Sequence, residues 1–356
     1  RCVGADDLTL SLFENQYPVQ PMGVSYNSYL ILDEKIAVMD SVDARAADEW
    51  LAKLAHELDG RSPDYLVISH MEPDHSGSIL RLAEKYQEMK LVGNTKTFTM
   101  LRQFFGAKAP TDDRLLEVGE GETLPLGAHT LHFMLAPMVH WPEVMVAYEE
   151  TEKLLFSADA FGRFGALSRT AGAPWAPQAR RYYYNIVGKY GAQVQALLKK
   201  AAALEIETIC PLHGPVLTGE ALGEALRLYD LWSRWQSESP DDILLAHASI
   251  HGNTARAAEL LKQKLEAKGA RVTLCDLTTT EVSYAVANAF CCGKLVLACS
   301  TYDGGLFPPM EEFLSHLQAK GFRDRSVGLM ENGSWAPAAA RLMRAKLEEM
   351  KDLRVC

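Results

Sequence analysis

The sequence contains no CxxC pair, although it has seven cysteines: Cys2, Cys210, Cys275, Cys291, Cys292, Cys299 and Cys356. Iron–sulfur and rubredoxin-type centres gather thiolates at such short spacings, so an internal module of that kind is excluded and electrons must come from outside the chain. An odd number of cysteines, lying mostly in apolar runs, suits reduced and buried thiols. Also missing is any run near the roughly 20 apolar residues of a membrane span, and the N-terminus has no charged-then-apolar leader pattern. Basic charge is scarce too: 36 Lys and Arg against 46 Asp and Glu give a net charge of −10, with no long run of one sign. Non-specific attraction to nucleic acid or to an anionic membrane is therefore disfavoured. These absences predict a cytoplasmic protein that works on small molecules.

What is present is apolar material, 48% of 356 residues, which favours two domains over one. Through the first 235 residues, short apolar runs such as Tyr29–Leu32, Ile36–Met39, Tyr65–Ser69, Leu131–Leu135, Val144–Tyr148 and Leu154–Phe156 alternate with turn signals and read as strands of stacked sheets. Helical spacing marks Ala46–Leu58, Ile79–Tyr86 and Leu222–Trp235. The polar stretch from Gln236 to Asp242 reads as a linker, which places one domain at 1–240 and a second at 241–356. Beyond it, strand runs such as Ile243–Ala246 and Leu295–Cys299 alternate with helical runs such as Thr254–Lys268 and Pro309–Lys320, the pattern of a doubly wound parallel sheet.

Chemistry concentrates at strand ends. The apolar run from Tyr65 leads straight into His70, Glu72, Asp74 and His75, four metal-competent side chains within six positions. Asp159 follows the run from Lys153, His213 follows Glu207-Thr-Ile-Cys, and His140 ends another apolar stretch. A loop leaving a rigid sheet can turn several such groups toward one point. His56, His129, His132 and His316 lack this acidic neighbourhood and read as structural. Three carboxylates among seven donors favour iron or manganese over zinc, and Glu72 stands where a binuclear zinc hydrolase would carry histidine. Asp159 is the best candidate for an acid that bridges two ions and leaves positions open for a diatomic ligand.

The segments His70-Met-Glu-Pro-Asp-His75-Ser-Gly-Ser, His140-Trp-Pro-Glu, Ser157-Ala-Asp159-Ala-Phe-Gly and Pro211-Leu-His213-Gly-Pro closely resemble the flavodiiron proteins, and the likeness runs along nearly the whole chain. The resemblance implies a metallo-β-lactamase-like αββα sandwich followed by a flavodoxin-like domain. It also implies that His70, Glu72 and His140 hold one iron, that Asp74, His75 and His213 hold the other, and that Asp159 bridges them. Some members lack the histidine equivalent to His75; its presence implies a fully protein-ligated pair. Within Arg181-Tyr-Tyr-Tyr-Asn185, Tyr183 is taken as the tyrosine that approaches the irons, with core packing as the alternative.

In the second domain, Ser249-Ile-His251-Gly252-Asn253-Thr254 follows the first strand and opens a helix, where hydroxyls and backbone N–H groups can wrap a phosphate. Two further loops, Ser300-Thr301-Tyr302-Asp303-Gly304 and Asn332-Gly333-Ser334-Trp335, lie at the carboxyl ends of parallel strands, and Tyr302 and Trp335 can border an isoalloxazine ring. The pattern resembles a flavodoxin, and in flavodiiron proteins this domain carries FMN. His251 departs from the aromatic more usual at its place. The reading also leaves this sheet without its fifth strand and last helix at Cys356.

The resemblance implies a reductase that takes electrons through FMN to a di-iron pair and reduces dioxygen to water or nitric oxide to nitrous oxide. Two ferrous ions and a reduced flavin together supply the four electrons that dioxygen needs. It further implies an external donor, such as rubredoxin or a flavin/NADH reductase. A head-to-tail homodimer, or a dimer of dimers, would set each flavin against the partner's irons.

Overall fold

Short runs of branched and aromatic residues build the sheets of the first unit. The structure, a computed structural model, describes residues 1–356 and divides into two units, one of Arg1–Tyr182 with Ala192–Tyr229, the other of Tyr183–Gly191 with Asp230–Cys356. In the first unit a five-stranded sheet runs in the order Tyr29–Ile31, Ala37–Met39, Tyr65–Val67, Lys90–Gly93, Leu115–Glu117, antiparallel at its first pair and parallel thereafter. A six-stranded sheet runs Thr123–Pro125, Thr130–Leu135, Met145–Glu149, Leu154–Phe156, Thr208–Cys210, Leu217–Thr218. Their facing side chains form one core, with Met39, Val67 and Val92 from the first sheet against Phe133, Met145 and Phe156 from the second. Helix Ala47–Leu58 buries Trp50, Leu54 and Leu58, one stripe at helical spacing. Each such side chain is worth roughly 1.5–3 kcal/mol of hydrophobic stabilisation. This is the metallo-β-lactamase-like sandwich implied by the motifs.

The second unit carries five parallel strands in the order Val272–Asp276, Ser239–Ala248, Cys292–Tyr302, Arg325–Asn332, Leu353–Val355. Numbered along the chain the order is 2-1-3-4-5, the flavodoxin-like winding. Two sequence expectations need correction. The sheet is not a strand short: Leu353–Val355 pairs with the strand beside it, Arg325 opposite Leu353 and Val327 opposite Val355. Three residues at a sheet edge, of which only Leu353 and Val355 are partly covered, give too short an alternation to read. Nor is Ser239–Asp242 a free linker, since those residues open the strand that ends at Ala248. The register breaks between Ser239 and Ile243, which accommodates Pro240, and a side chain on Gly293 would collide with the Pro240 backbone.

Candidate metal centre and flavin loops

Strand ends deliver the metal-competent groups, and buried hydrogen bonds fix the loops that carry them. Beyond strand Tyr65–Val67, the Ser69 and His70 backbone N–H groups donate to Asp40 Oδ1 at 2.7 and 3.3 Å. Asp74 and His75 lie on the four-residue helix Pro73–Ser76, where the His75 carbonyl accepts from Ser41 Oγ at 2.6 Å. On the far side, Asn27 Nδ2 donates to the carbonyls of Pro211 and Gly214 at 2.8 and 2.7 Å, and the Tyr29 hydroxyl to that of Pro211 at 2.7 Å. Gly214 has φ +83°, a left-handed turn directly after His213.

The seven side chains fall into two groups, His70, Glu72, His140 and Asp159, and Asp74, His75 and His213, each with its ligand atoms within 4.8 Å of one another. Glu72 Oε2 stands 3.2 Å from His70 Nε2 and 3.1 Å from His140 Nε2. Asp74 Oδ2 stands 3.3 Å from His75 Nε2 and 3.2 Å from His213 Nε2. Asp159 divides its oxygens: Oδ2 is 3.1 Å from His140 Nε2, and Oδ1 is 3.1 Å from His75 Nε2. One carboxylate thus faces both groups.

This arrangement fits metal ions on its own terms. Both Asp74 oxygens are buried with no hydrogen bond to satisfy them, a costly condition that cations relieve. The His75 and His213 Nε2 atoms face each other at 3.0 Å, where two lone pairs need a shared proton or a cation. Burial would lower the imidazoles, but the charges of Asp74 and Asp159 raise His75 to about 8, and hydrogen bonds donated to Asp159 and Glu72 take His140 to about 9. Against the burial that would raise it, Asp159 is held well below the usual carboxylate range by His75, His140 and His70. Without metal, protons occupy the positive places that ions would take.

In the second unit, Ser249, His251, Gly252, Asn253 and Thr254 lie where strand Ser239–Ala248 passes into helix Asn253–Glu266, with Gly252 left-handed at φ +84°. Thr254 Oγ1 bonds Ser300 Oγ at 2.8 Å and accepts from Asn332 Nδ2 at 3.3 Å, so three loops converge. Ser249 Oγ is buried without a partner, a donor free for a phosphate oxygen. Thr301 Oγ1 instead accepts from the Ala338 and Ala339 N–H groups. Asp303 and Gly304 form the left-handed tip of a hairpin beside Tyr302, and Gly333 packs on Pro337 and Thr301. Ser334 is exposed, and Tyr302 and Trp335 present open rings, Trp335 being 68% exposed.

The family described as ODP family beta lactamase matches residues 24–214. At 28% identity the chain aligns with the rubredoxin-oxygen oxidoreductase of Megalodesulfovibrio gigas over 98% of its length and 87% of that relative's. It is 27% identical to a nitric oxide reductase of Moorella thermoacetica, covering 98% and 88% of the two chains. The crystal structure of the flavodiiron protein from Giardia intestinalis superposes with a TM-score of 0.90 at 26% identity, over 99% of this chain and 89% of that one. The chain belongs to the flavodiiron protein family.

Several residues of this flavodiiron protein act on the centre without having been singled out from the sequence. Glu143 Oε1 accepts from His70 Nδ1 and from the Met71 N–H, each at 2.8 Å, which leaves the His70 Nε2 lone pair toward Glu72 and Asp159. Its signal was present, as the acid of His140-Trp-Pro-Glu. Asp40, raised to about 6 by burial, had none beyond its place after a strand. Tyr183 is a correction: its ring packs on Trp232 and Tyr184, with centroids 5.3 and 5.2 Å away. The tyrosine against His213 is Tyr182, centroid distance 5.5 Å. Helix Ala176–Tyr182 ends there, a π-helical turn begins, and consecutive residues on a helical path point to different sides. His129 and His132 pair with Asp33 and Glu150, outside both groups.

Proposed function

We propose that this protein is an oxidoreductase that reduces dioxygen to water or nitric oxide to nitrous oxide at a di-iron site, with electrons relayed through FMN from an external donor. The observation that carries the reading is the division of the Asp159 oxygens between two imidazole and carboxylate groups. In this reading His70, Glu72 and His140 hold one iron, Asp74, His75 and His213 the other, and Asp159 bridges. Ser249, Thr254, Ser300 and Asn332 bind the FMN phosphate end, and Tyr302 and Trp335 border the ring. When bound, the irons and the flavin supply the electrons and the Lewis acidity.

The chain's own groups set the conditions. Glu143 holds the tautomer of His70, and Asp40 holds the loop that bears it. Tyr182 is fully buried, and its hydroxyl has no partner. Burial and the charges of Asp159 and Asp74 keep it protonated far beyond the ordinary tyrosine range, so it serves as a hydrogen-bond donor to a ligand on the metals. A head-to-tail homodimer completes the electron path, with rubredoxin the donor in keeping with the name of one relative.

The test is to reduce the purified protein anaerobically and mix it separately with each gas while flavin oxidation and product are followed. Rapid reoxidation with water or nitrous oxide as product is expected. Two equivalents of zinc with hydrolytic turnover would instead make it a binuclear hydrolase. Turnover per subunit that persists on dilution to monomers would refute the dimer.

A further inference from the structure

His247 stands on the central strand Ser239–Ala248, two residues before Ser249, and is 3% exposed. Asp276 lies opposite it on one side of the parallel ladder and Ala298 on the other. Side chains alternate along a strand, so His247 shares a face with Leu245, which packs with Ala298 and with Ala258 of helix Asn253–Glu266. Its Nδ1 is 3.8 Å from Asp276 Oδ1, too far for a hydrogen bond, and is buried without a partner. Beyond Ala298, the next residue on this face is Ser300, about 7 Å along its strand. The Ser300 hydroxyl bonds that of Thr254 in the first turn of the helix. The imidazole is thus enclosed one step inside the loops that offer hydroxyls and N–H groups to a phosphate.

A phosphate monoester carries nearly two negative charges at neutral pH. Ser249, Thr254, Ser300 and Asn332 bring no positive charge to meet them, and His251, on the loop itself, is exposed. Around His247, the helix contributes Ala258 and Leu261 and the neighbouring strand Ala298 and Ser300, all uncharged. Asp276 is the charged group that faces the ring. Burial lowers His247 from its ordinary range while the Asp276 charge opposes it, so the ring is neutral at pH 7 without flavin. A dianion nearby, poorly screened by the interior, favours the charged form. Protonation also turns the approach to Asp276 into an ion pair.

We propose that His247 takes up a proton from solvent as FMN binds, so that its imidazolium is the counter-charge of the FMN phosphate and sets a preference for FMN over riboflavin, which lacks the phosphate. This rests on the FMN reading of the second unit.

The test is fluorescence titration of the flavin-free full chain with FMN and with riboflavin between about pH 7 and pH 9, as wild type, His247→Gln, Asp276→Asn and His251→Gln. An imidazolium is present at low pH and lost as pH rises, so wild-type affinity for FMN should fall about tenfold across this range while that for riboflavin stays level. His247→Gln should bind FMN about tenfold more weakly at pH 7, with no further fall toward pH 9 and riboflavin binding unchanged. Asp276→Asn should move the fall to lower pH, and His251→Gln should behave as wild type. Calorimetry of the wild type in buffers of different ionisation enthalpy should show a proton taken up with FMN and none with riboflavin. Absence of that proton, a pH dependence that survives in His247→Gln, or one that vanishes in His251→Gln would overturn the His247 assignment. A wild type that binds no FMN would overturn the flavin reading beneath it.

Discussion

In the first unit the groups gathered for a ligand are ionisable and enclosed. His70, His75 and His213 have no exposed surface, and two of them have their second ring nitrogen engaged, His70 by Glu143 and His213 by the Ser25 carbonyl at 2.7 Å. In the second unit the corresponding groups are hydroxyls and amides on loops, and its aromatic rings face solvent. The difference follows from charge. A buried imidazole or carboxylate needs a partner for every polar atom, so the metal centre recruits anchors from residues as far apart as 25, 40 and 143. A neutral hydroxyl needs one neighbour or the ligand itself, and a parallel sheet supplies the loop positions at its strand ends. Damage to the metal centre should therefore spread, whereas damage to the flavin loops should stay local.

The strongest break of this contrast is Asp159→Ala. Removing the one acid that faces both groups should reduce bound iron from two ions per chain to one or fewer, and lower turnover by more than about 100-fold, beyond the range seen for outer partners. Flavin content should not change, as metal analysis and flavin absorbance on the same sample will show. Next is Glu143→Ala, which touches no metal. It should weaken one ion by roughly 10–100-fold, read by chelator competition, and leave the other unaltered. Ser249→Ala probes the second unit: FMN affinity should fall about tenfold, or about 1.4 kcal/mol, in a fluorescence titration with iron binding unaffected. Since the Ser249 hydroxyl has no partner without flavin, the FMN-free variant should unfold no earlier than wild type.

The smallest effect concerns Asp33, away from both sites. Its desolvation would raise it, yet hydrogen bonds from the His129 ring and backbone hold it well below the usual carboxylate range. A depressed carboxylate contributes stability above its unfolded value, about pH 3.9, and loses that contribution as pH falls toward its folded value. Asp33→Asn should therefore unfold slightly earlier than wild type at pH 7. The gap should narrow as the pH is taken below 4, and a gap constant across that range would show that the pair carries no linkage.

Residues carried by a run into a strand end were legible. His70 to His75 follow Tyr65–Val67, and Asp159 follows Leu154–Phe156, because a short apolar run and its exit are local features. The flavodoxin-like half was legible for the same reason, through regular alternation of strand and helix. What escaped was set by meetings across the fold. Asp40 matters only because residues 69 and 70 arrive beside it, and no neighbour in sequence announces that. The choice between Tyr182 and Tyr183 turned on helical phase at a π-turn, which a run of three tyrosines hides. Edge strand Leu353–Val355 and the hairpin of Leu12–Phe13 and Tyr17–Pro18 were too short for any periodicity to register.

Asn27 has a consequence for how such a protein is made. Its amide grips carbonyls 184 and 187 positions further along the chain, and those carbonyls flank His213. Contacts between such remote partners cannot form on a growing chain until the later segment has been made, and closing so long a loop carries an entropic cost. A growing polypeptide therefore exposes its early cluster of histidine and acids well before the last imidazole arrives. A metal ion bound across that late closure would be a clasp on the finished fold, and its removal should speed unfolding of the first unit most.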